Sequence, residues 1–199
     1  MRWEVHAAAL LELLPPPSGL ALDVGCGEGR FTRDLRARGY DVVEFDTTEA
    51  LVRGAQQTDP GGKYAVADVY SLPVPDGHAA LVTCVNVLQH VANLDAALAE
   101  IARVLASDGV LVAAVVHPIA EAATYDHEND ELTVRRYFSE EARRVLLGEV
   151  EVVDYHRTIE SYVRAFHAAG FTLDELREVP GKSCSLPLYL DLRAHRSGL

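Results

Sequence analysis

The run Ala21-Leu22-Asp23-Val24-Gly25-Cys26-Gly27-Glu28-Gly29-Arg30-Phe31 constrains this chain more than any other segment. An apolar stretch ends in an acid, and three glycines follow at every second position. Glycine tolerates positive φ and lacks a Cβ, so such a run turns a buried strand sharply into a helix and leaves backbone open to a ligand. The turn points to a nucleotide-type pocket. A dinucleotide fingerprint needs G-x-G-x-x-G/A. Counted from Gly25 its last position is Arg30, and counted from Gly27 it is Thr32, so that spacing fails. What stands here is D-x-G-x-G-x-G, from Asp23 to Gly29.

Further polar residues follow at strand ends. Asp41 to Asp46 reads as a second strand ending in an acid, and Asp46 lies 21 residues after Gly25. A carboxylate about 20 residues past such a loop is placed to accept hydrogen bonds from ribose hydroxyls. Tyr64 to Val69 carries Asp68, and the apolar strand Ala79 to Val85 runs into Asn86-Val87-Leu88-Gln89-His90.

In order and spacing these segments resemble the class I S-adenosylmethionine-dependent methyltransferases, over roughly residues 20 to 117. The resemblance implies S-adenosylmethionine as cofactor and S-adenosylhomocysteine as its product. It assigns the amino-acid end of the cofactor to Asp23 and the loop residues Gly25, Cys26, Gly27 and Gly29. It assigns the ribose to Asp46 with Thr47 beside it. Asp68 matches the acid that meets the adenine amino group, and Val69 the residue whose amide meets the ring. Asn86 and Val87 match the segment along the methionine arm.

Alternating strands and amphipathic helices through Val43, Leu51 and Ala65 argue for a parallel α/β sheet with right-handed crossovers. Ligands on such sheets sit at the carboxyl ends of the strands, where Asp23, Asp46, Asp68 and Asn86 converge. The expected fold is therefore Rossmann-like and mostly parallel, with helices on both faces. An antiparallel last strand is what the resemblance adds, with Phe171 to Glu178 and Leu186 to Leu192 as the closing hairpin. At 199 residues a single domain over 1–199 is expected, with 1–19 as a helix and linker ending at Pro15-Pro16-Pro17. Leu94, Leu98, Ile101 and Leu105 follow helical spacing, with Asp108-Gly109 expected to close that helix and Val110 to Val116 to form the fifth strand. Residues 117–157 break the pattern at the ligand edge and read as a lid that binds the acceptor.

Composition narrows the substrate. Net charge is −12 and no Lys/Arg-rich run occurs, which argues against nucleic acid. The three cysteines, Cys26, Cys84 and Cys184, show no metal or disulfide spacing, so neither a metal site nor a disulfide framework is expected, and a reducing cytoplasm fits best. Ala7 to Leu14 is too short to span a bilayer. The acid run Asp126 to Glu131, with His127 inside it, reads as a solvated loop. A small-molecule acceptor follows, with a monomer or homodimer as the expected state.

Methyl transfer is a direct displacement, so positioning and exclusion of water carry much of the barrier, up to about 7–11 kcal/mol. A general base is needed only where the acceptor must lose a proton. His117, at the end of the fifth strand, and His156, in Tyr155-His156-Arg157-Thr158, are the candidates, since imidazole titrates near neutrality. The His-Pro and His-Arg-Thr elements with Tyr137-Phe138 between them are similar to those of a bacterial subset of small-molecule methyltransferases, which assigns them to the acceptor side. Arg157 could pair bidentately with a carboxylate or phosphate-like group on the acceptor, and Tyr125 could wall the pocket with Tyr137 and Phe138. Two other readings stay open: an NAD(P)-dependent oxidoreductase, and a protein that binds S-adenosylmethionine without catalysis.

Overall fold

The computed structural model describes residues 3–126, 131–147, 150–181 and 186–197. The elements run α1 (Trp3–Leu11), β1 (Leu20–Val24), α2 (Arg30–Ala37), β2 (Asp41–Asp46), α3 (Glu49–Thr58), β3 (Lys63–Val66), β4 (Ala79–Val85), α4 (Leu94–Val104) and β5 (Leu105–Val116). Then follow α5 (Pro118–Ala122), β6 (Ala123–Asp126), β7 (Glu131–Val134), β8 (Ala142–Leu147), β9 (Val150–Tyr155), α6 (Ile159–Ala168), β10 (Phe171–Pro180) and β11 (Pro187–Arg196). Seven strands form one sheet in the order β10-β11-β5-β4-β1-β2-β3. Only β11 is antiparallel to its neighbours, pairing Asp191 with Ala114 on β5 and Leu192 with Leu176 on β10. This is the expected sheet, closed by the expected hairpin.

Strand residues alternate between two cores because successive side chains point to opposite faces. Leu22, Val24, Val82, Cys84, Leu111, Ala113, Leu190 and Leu192 pack with Leu98 and Ile101 of α4 and Tyr162 and Phe166 of α6. Ala21, Leu81, Val110, Val112 and Ala114 pack on the other side with Leu10, Leu13, Phe31 and Leu35. Both faces are buried, which is why these strands read as near-continuous apolar runs. Leu10 and Leu13 are fully buried, and together they contribute about 3–6 kcal/mol to docking the N-terminal segment.

Caps fix the helix starts. Asn93 accepts the Ala96 N–H at 3.0 Å, and Thr158 accepts the Ser161 N–H at 3.1 Å. One boundary differs from the expectation. Asp108-Gly109 does not close α4, because β5 begins at Leu105 and carries these residues in a bulge, with Ala79 opposite Leu105 and Leu81 opposite Val110. A Cβ at Gly109 would lie 3.0 Å from the carbonyl oxygens of both Ala106 and Ala79, so the bulge needs glycine for close backbone approach.

Between β5 and α6 the chain leaves the sheet. It forms α5 and two separate antiparallel ladders, β6 with β7 and β8 with β9. The β8–β9 hairpin returns over the carboxyl ends of the central strands.

Candidate cofactor site

The loop after β1 is left-handed at all three glycines, with φ of 75°, 55° and 71° at Gly25, Gly27 and Gly29. Gly25 is constrained twice. Its N–H donates to the Phe45 carbonyl at 2.7 Å, and a Cβ there would collide with Val87 Cγ2 and lie 3.2 Å from Val87 Cβ. The loop is thus pressed between the ends of β2 and β4, the two strands flanking β1. Asp23 sits beneath it rather than in the opening. Its carboxylate is buried and accepts the hydroxyls of Thr32 and Thr83, the latter at 2.8 Å. Burial raises its pKa against the lowering effect of the two hydroxyls.

Asp46 ends β2 and locks the loop from the other side. One carboxylate oxygen accepts the Gly27 N–H at 2.9 Å and the other the Thr48 N–H at 2.8 Å. Each oxygen keeps one lone-pair direction for a further donor. Asp68 lies just past β3, and its Oδ1 accepts the Tyr70 N–H at 3.1 Å. Asn86, just past β4, has φ of 58°, uncommon for a side-chain-bearing residue. Its N–H donates to the Ala114 carbonyl at 2.8 Å, while its buried Oδ1 has no partner. Strain and an orphaned acceptor in one residue mark a place built for a ligand.

These groups surround a cavity of about 540 Å³. Gly25, Asp46, Thr47, Asp68, Val69, Asn86 and Val87, all expected from the sequence, border it. Cys26, Gly27 and Gly29 shape the loop without bordering the cavity. The Cys26 side chain packs toward Val52, Ala55 and Tyr64, and burial raises its thiol pKa, so it stays protonated and inert. Glu44, two residues before Asp46, is fully buried beside Arg36 and does not border the cavity. Burial pushes its pKa up to about 7 despite the lowering effect of Arg36.

The sequence missed the far wall. Val152, Val153 and Tyr155 of β9 face the cavity, with Tyr70 and His90 at its rim. His90 is placed by an ion-pair contact of 2.6 Å between Nδ1 and Asp154. No periodic signal in the residues before Tyr155 indicates which side of that hairpin would meet β4; only tertiary placement decides it.

The acceptor-side expectations need correction. Neither His117 nor His156 borders the cavity, and both are buried. His117 Nδ1 accepts the Ile119 N–H at 3.1 Å, capping α5, so its proton lies on Nε2, 3.0 Å from Glu178. Burial lowers its pKa against the raising effect of Glu178, which keeps it neutral for this role. His156 Nε2 donates to the Tyr137 carbonyl at 2.9 Å, and Nδ1 sits 2.8 Å from Glu121. His117 ties the end of β5 to Glu178 of β10, and His156 ties β9 to α5 and to the Tyr137 carbonyl within residues 117–157, with no ring nitrogen left on either for a substrate proton. Arg157 is spent likewise. Its guanidinium donates to the carbonyls of Val91 at 2.6 Å, Leu88 at 3.2 Å, Ala92 at 3.2 Å and Tyr155 at 3.3 Å. It clamps the turn Leu88–His90 rather than an acceptor carboxylate. The Tyr137 hydroxyl accepts the Ile159 N–H at 3.3 Å, and Phe138 stacks edge-on against Tyr137 while 85% exposed. Neither reaches the cavity. Tyr125 falls on β6 with its side chain outside the described residues, as do His127 and Cys184 altogether.

Residues 22–113 match the family described as Methyltransferase domain. An S-adenosylmethionine dependent methyltransferase from Mesorhizobium loti has the same fold, with a TM-score of 0.85 at 25% identity over 95% of this chain and 96% of that one. Residues 22–113 thus belong to the methyltransferase domain family, and the chain as a whole has the fold of an S-adenosylmethionine-dependent methyltransferase. Among curated relatives, malonyl-[acyl-carrier protein] O-methyltransferase of Serratia marcescens is 37% identical over 98 residues, 48% of this chain and 38% of that protein. The 2-methyl-6-phytyl-1,4-hydroquinone methyltransferase of Synechocystis is 27% identical over 194 residues, 94% of this chain and 58% of that protein. The chain thus spans well under two thirds of the length of these curated relatives. The methyltransferase domain's residues fit its cofactor type. Asp46 offers lone pairs to ribose hydroxyls, Asn86 offers an unpartnered acceptor, and the loop keeps Cβ atoms out of the way.

Proposed function

We propose that this protein binds S-adenosylmethionine in the cavity at the carboxyl ends of β1, β2 and β4 and methylates an oxygen, nitrogen or carbon of a small-molecule acceptor. The observation that carries this reading is Asn86, held at positive φ with a buried, unpartnered Oδ1 on the cavity wall, opposite the clamped carboxylate of Asp46. Bound S-adenosylmethionine supplies an activated methyl, whose bonding pair leaves with sulfur as an acceptor lone pair bonds to carbon.

This chain's residues do the positioning. Asp46 and Thr47 hold the ribose, Asp68 and the Val69 amide the adenine, and Asn86 and Val87 the methionine arm. Asp23 acts from below, pinning the loop through Thr32 and Thr83. Residues 117–157 act as the lid, with Val152, Val153 and Tyr155 excluding water. Their latches are His156–Glu121, His90–Asp154 and the Arg157 clamp. The relatives' acceptors, as their names give them, are carrier-bound malonyl and a phytyl hydroquinone, and both are compatible with a metabolic acceptor.

The test is transfer of labelled methyl from S-adenosylmethionine to a panel of small acceptors, with release of S-adenosylhomocysteine. Label in an organic-extractable product, lost in Asp46→Ala, is expected. Binding of the cofactor with no transfer to any acceptor would favour the non-catalytic reading.

A further inference from the structure

His90 stands apart from the two buried histidines. It borders the cavity, and its side chain is 31% exposed. Its Nδ1 lies 2.6 Å from Asp154 Oδ1 and 3.3 Å from the Val153 carbonyl oxygen, both on β9. A carboxylate and a carbonyl only accept, so Nδ1 carries the proton, and in the neutral ring the lone pair sits on Nε2. Nε2 has no partner among the described residues. His117 and His156, by contrast, have both ring nitrogens engaged. The lid strand thus fixes the tautomer of His90 and leaves its basic nitrogen over.

Its position agrees with its tautomer. His90 ends the turn Leu88–His90, and its N–H donates to the Val87 carbonyl at 2.8 Å. Asn86 and Val87 are the residues given above to the methionine arm, so His90 stands one turn beyond the arm that carries the sulfonium. Arg157 holds that turn rigid through the Leu88 and Val91 carbonyls on either side of the ring. The wall's two carboxylates, Asp46 and Asp68, are given to the ribose and the adenine and are not available to an acceptor.

We propose that His90 is the general base of the methyl transfer, oriented by Asp154, and that the acceptor presents a hydroxyl or another protonated heteroatom to Nε2. This rests on the methyltransferase reading and adds the base to it. The Nε2 lone pair takes the acceptor's proton while the acceptor's own lone pair bonds to the methyl carbon and the carbon–sulfur pair leaves with sulfur. The imidazolium keeps its Nδ1–H toward the Asp154 carboxylate, which offsets its charge, and then gives the proton to water. Val153 and Asp154 both belong to residues 117–157, so the base is complete only with the lid strand in place.

Two readouts test this, and the first needs no acceptor. In ¹⁵N-histidine-labelled protein saturated with S-adenosylhomocysteine, nuclear magnetic resonance at pH 8.5 should show His90 with its proton on Nδ1 and a bare Nε2. The second is transfer of labelled methyl from S-adenosylmethionine at pH 8.5 to phenol, which keeps its proton at that pH, and to 4-nitrophenol, which has largely lost it. His90→Gln should slow phenol at least about 100-fold more than 4-nitrophenol, the scale of a general base. Asp154→Asn, which removes the orienting charge, should show the same selectivity at smaller size. A residue that only shaped the cavity would slow both probes alike. A proton on Nε2, equal slowing of both probes, or no transfer to either probe by the parent would overturn the proposal. Failure of S-adenosylhomocysteine to bind the parent would instead remove the cofactor reading beneath it.

Discussion

Asp46→Asn is the sharpest single perturbation of this site. The native carboxylate holds two backbone N–H groups, one per oxygen, at 2.9 Å from Gly27 and 2.8 Å from Thr48. An asparagine has one acceptor oxygen and an NH₂ that cannot accept. One of the two pins is therefore lost, and the charge that strengthens the hydrogen bonds to ribose hydroxyls goes with it. Hydrogen bonds to charged groups contribute about 1.5–3 kcal/mol. At about 1.4 kcal/mol per tenfold, S-adenosylhomocysteine should bind about 10- to 150-fold more weakly. Calorimetric titration at pH 7.5 reads this directly, with a thermal melt of the free protein confirming that the variant is folded. Glu44→Gln is the internal control. It lies on the same strand, is fully buried beside Arg36, and does not border the cavity, so its affinity should be unchanged. Asp46→Asn within threefold of the parent, or Glu44→Gln equally impaired, would refute the assignment of the ribose acid.

Other outcomes follow from the same geometry. Gly25→Ala places a side chain at φ of 75°, costing about 1–2 kcal/mol, and drives Val87 toward the cavity. Cofactor affinity should fall at least about tenfold by calorimetry, and Val87→Ala in that background should restore part of it. A full recovery would mean that φ strain contributes nothing. His156→Ala leaves buried Glu121 unpaired and should destabilise by about 3–5 kcal/mol. His117→Ala frees the half-exposed Glu178 and should cost less, about 1–2 kcal/mol. Melting curves check the order, and a pH–rate profile that shifts in His117→Ala would restore it as a base. Glu44 gives a pH signature. Its folded pKa of about 7 stands above the ordinary 4.5, so the folded state binds the extra proton between these values. That stability is complete below pH 4.5 and is lost as pH rises through 7. Relative to the parent, Glu44→Gln should gain melting temperature on going from pH 5 to pH 8; a pH-independent difference would contradict the burial argument.

Local chemistry made the cofactor side legible before any coordinates. The glycine loop needs positive φ, and residues at the ends of parallel strands share one edge, so seven of the eleven expected cofactor residues border the cavity. The other four act from beneath or within the loop, which spacing alone does not distinguish from lining. Acceptor-side residues were misread because type and position say nothing about orientation. His117 and His156 sit near the ligand edge as expected, but their rings turn inward to meet Glu178 and Glu121, far apart in sequence. In sequence Arg157 offers a free fork, while its geometry is set by carbonyls some 65 residues away in the chain. Val152 and Val153 were invisible for the opposite reason: ordinary strand residues become a cavity wall only through the fold of the hairpin. The Asp108-Gly109 bulge resembles a helix stop in sequence because glycine serves both purposes.

The central claim is that the glycine-loop cavity takes S-adenosylmethionine rather than a dinucleotide. Titrating the protein calorimetrically with S-adenosylhomocysteine, and in parallel with NADH, tests it most directly. Saturable binding of S-adenosylhomocysteine at micromolar concentration, weakened at least about tenfold by Gly25→Ala and absent for NADH, is the expected result. Binding of NADH alone would contradict the account and turn the cavity over to hydride-transfer chemistry.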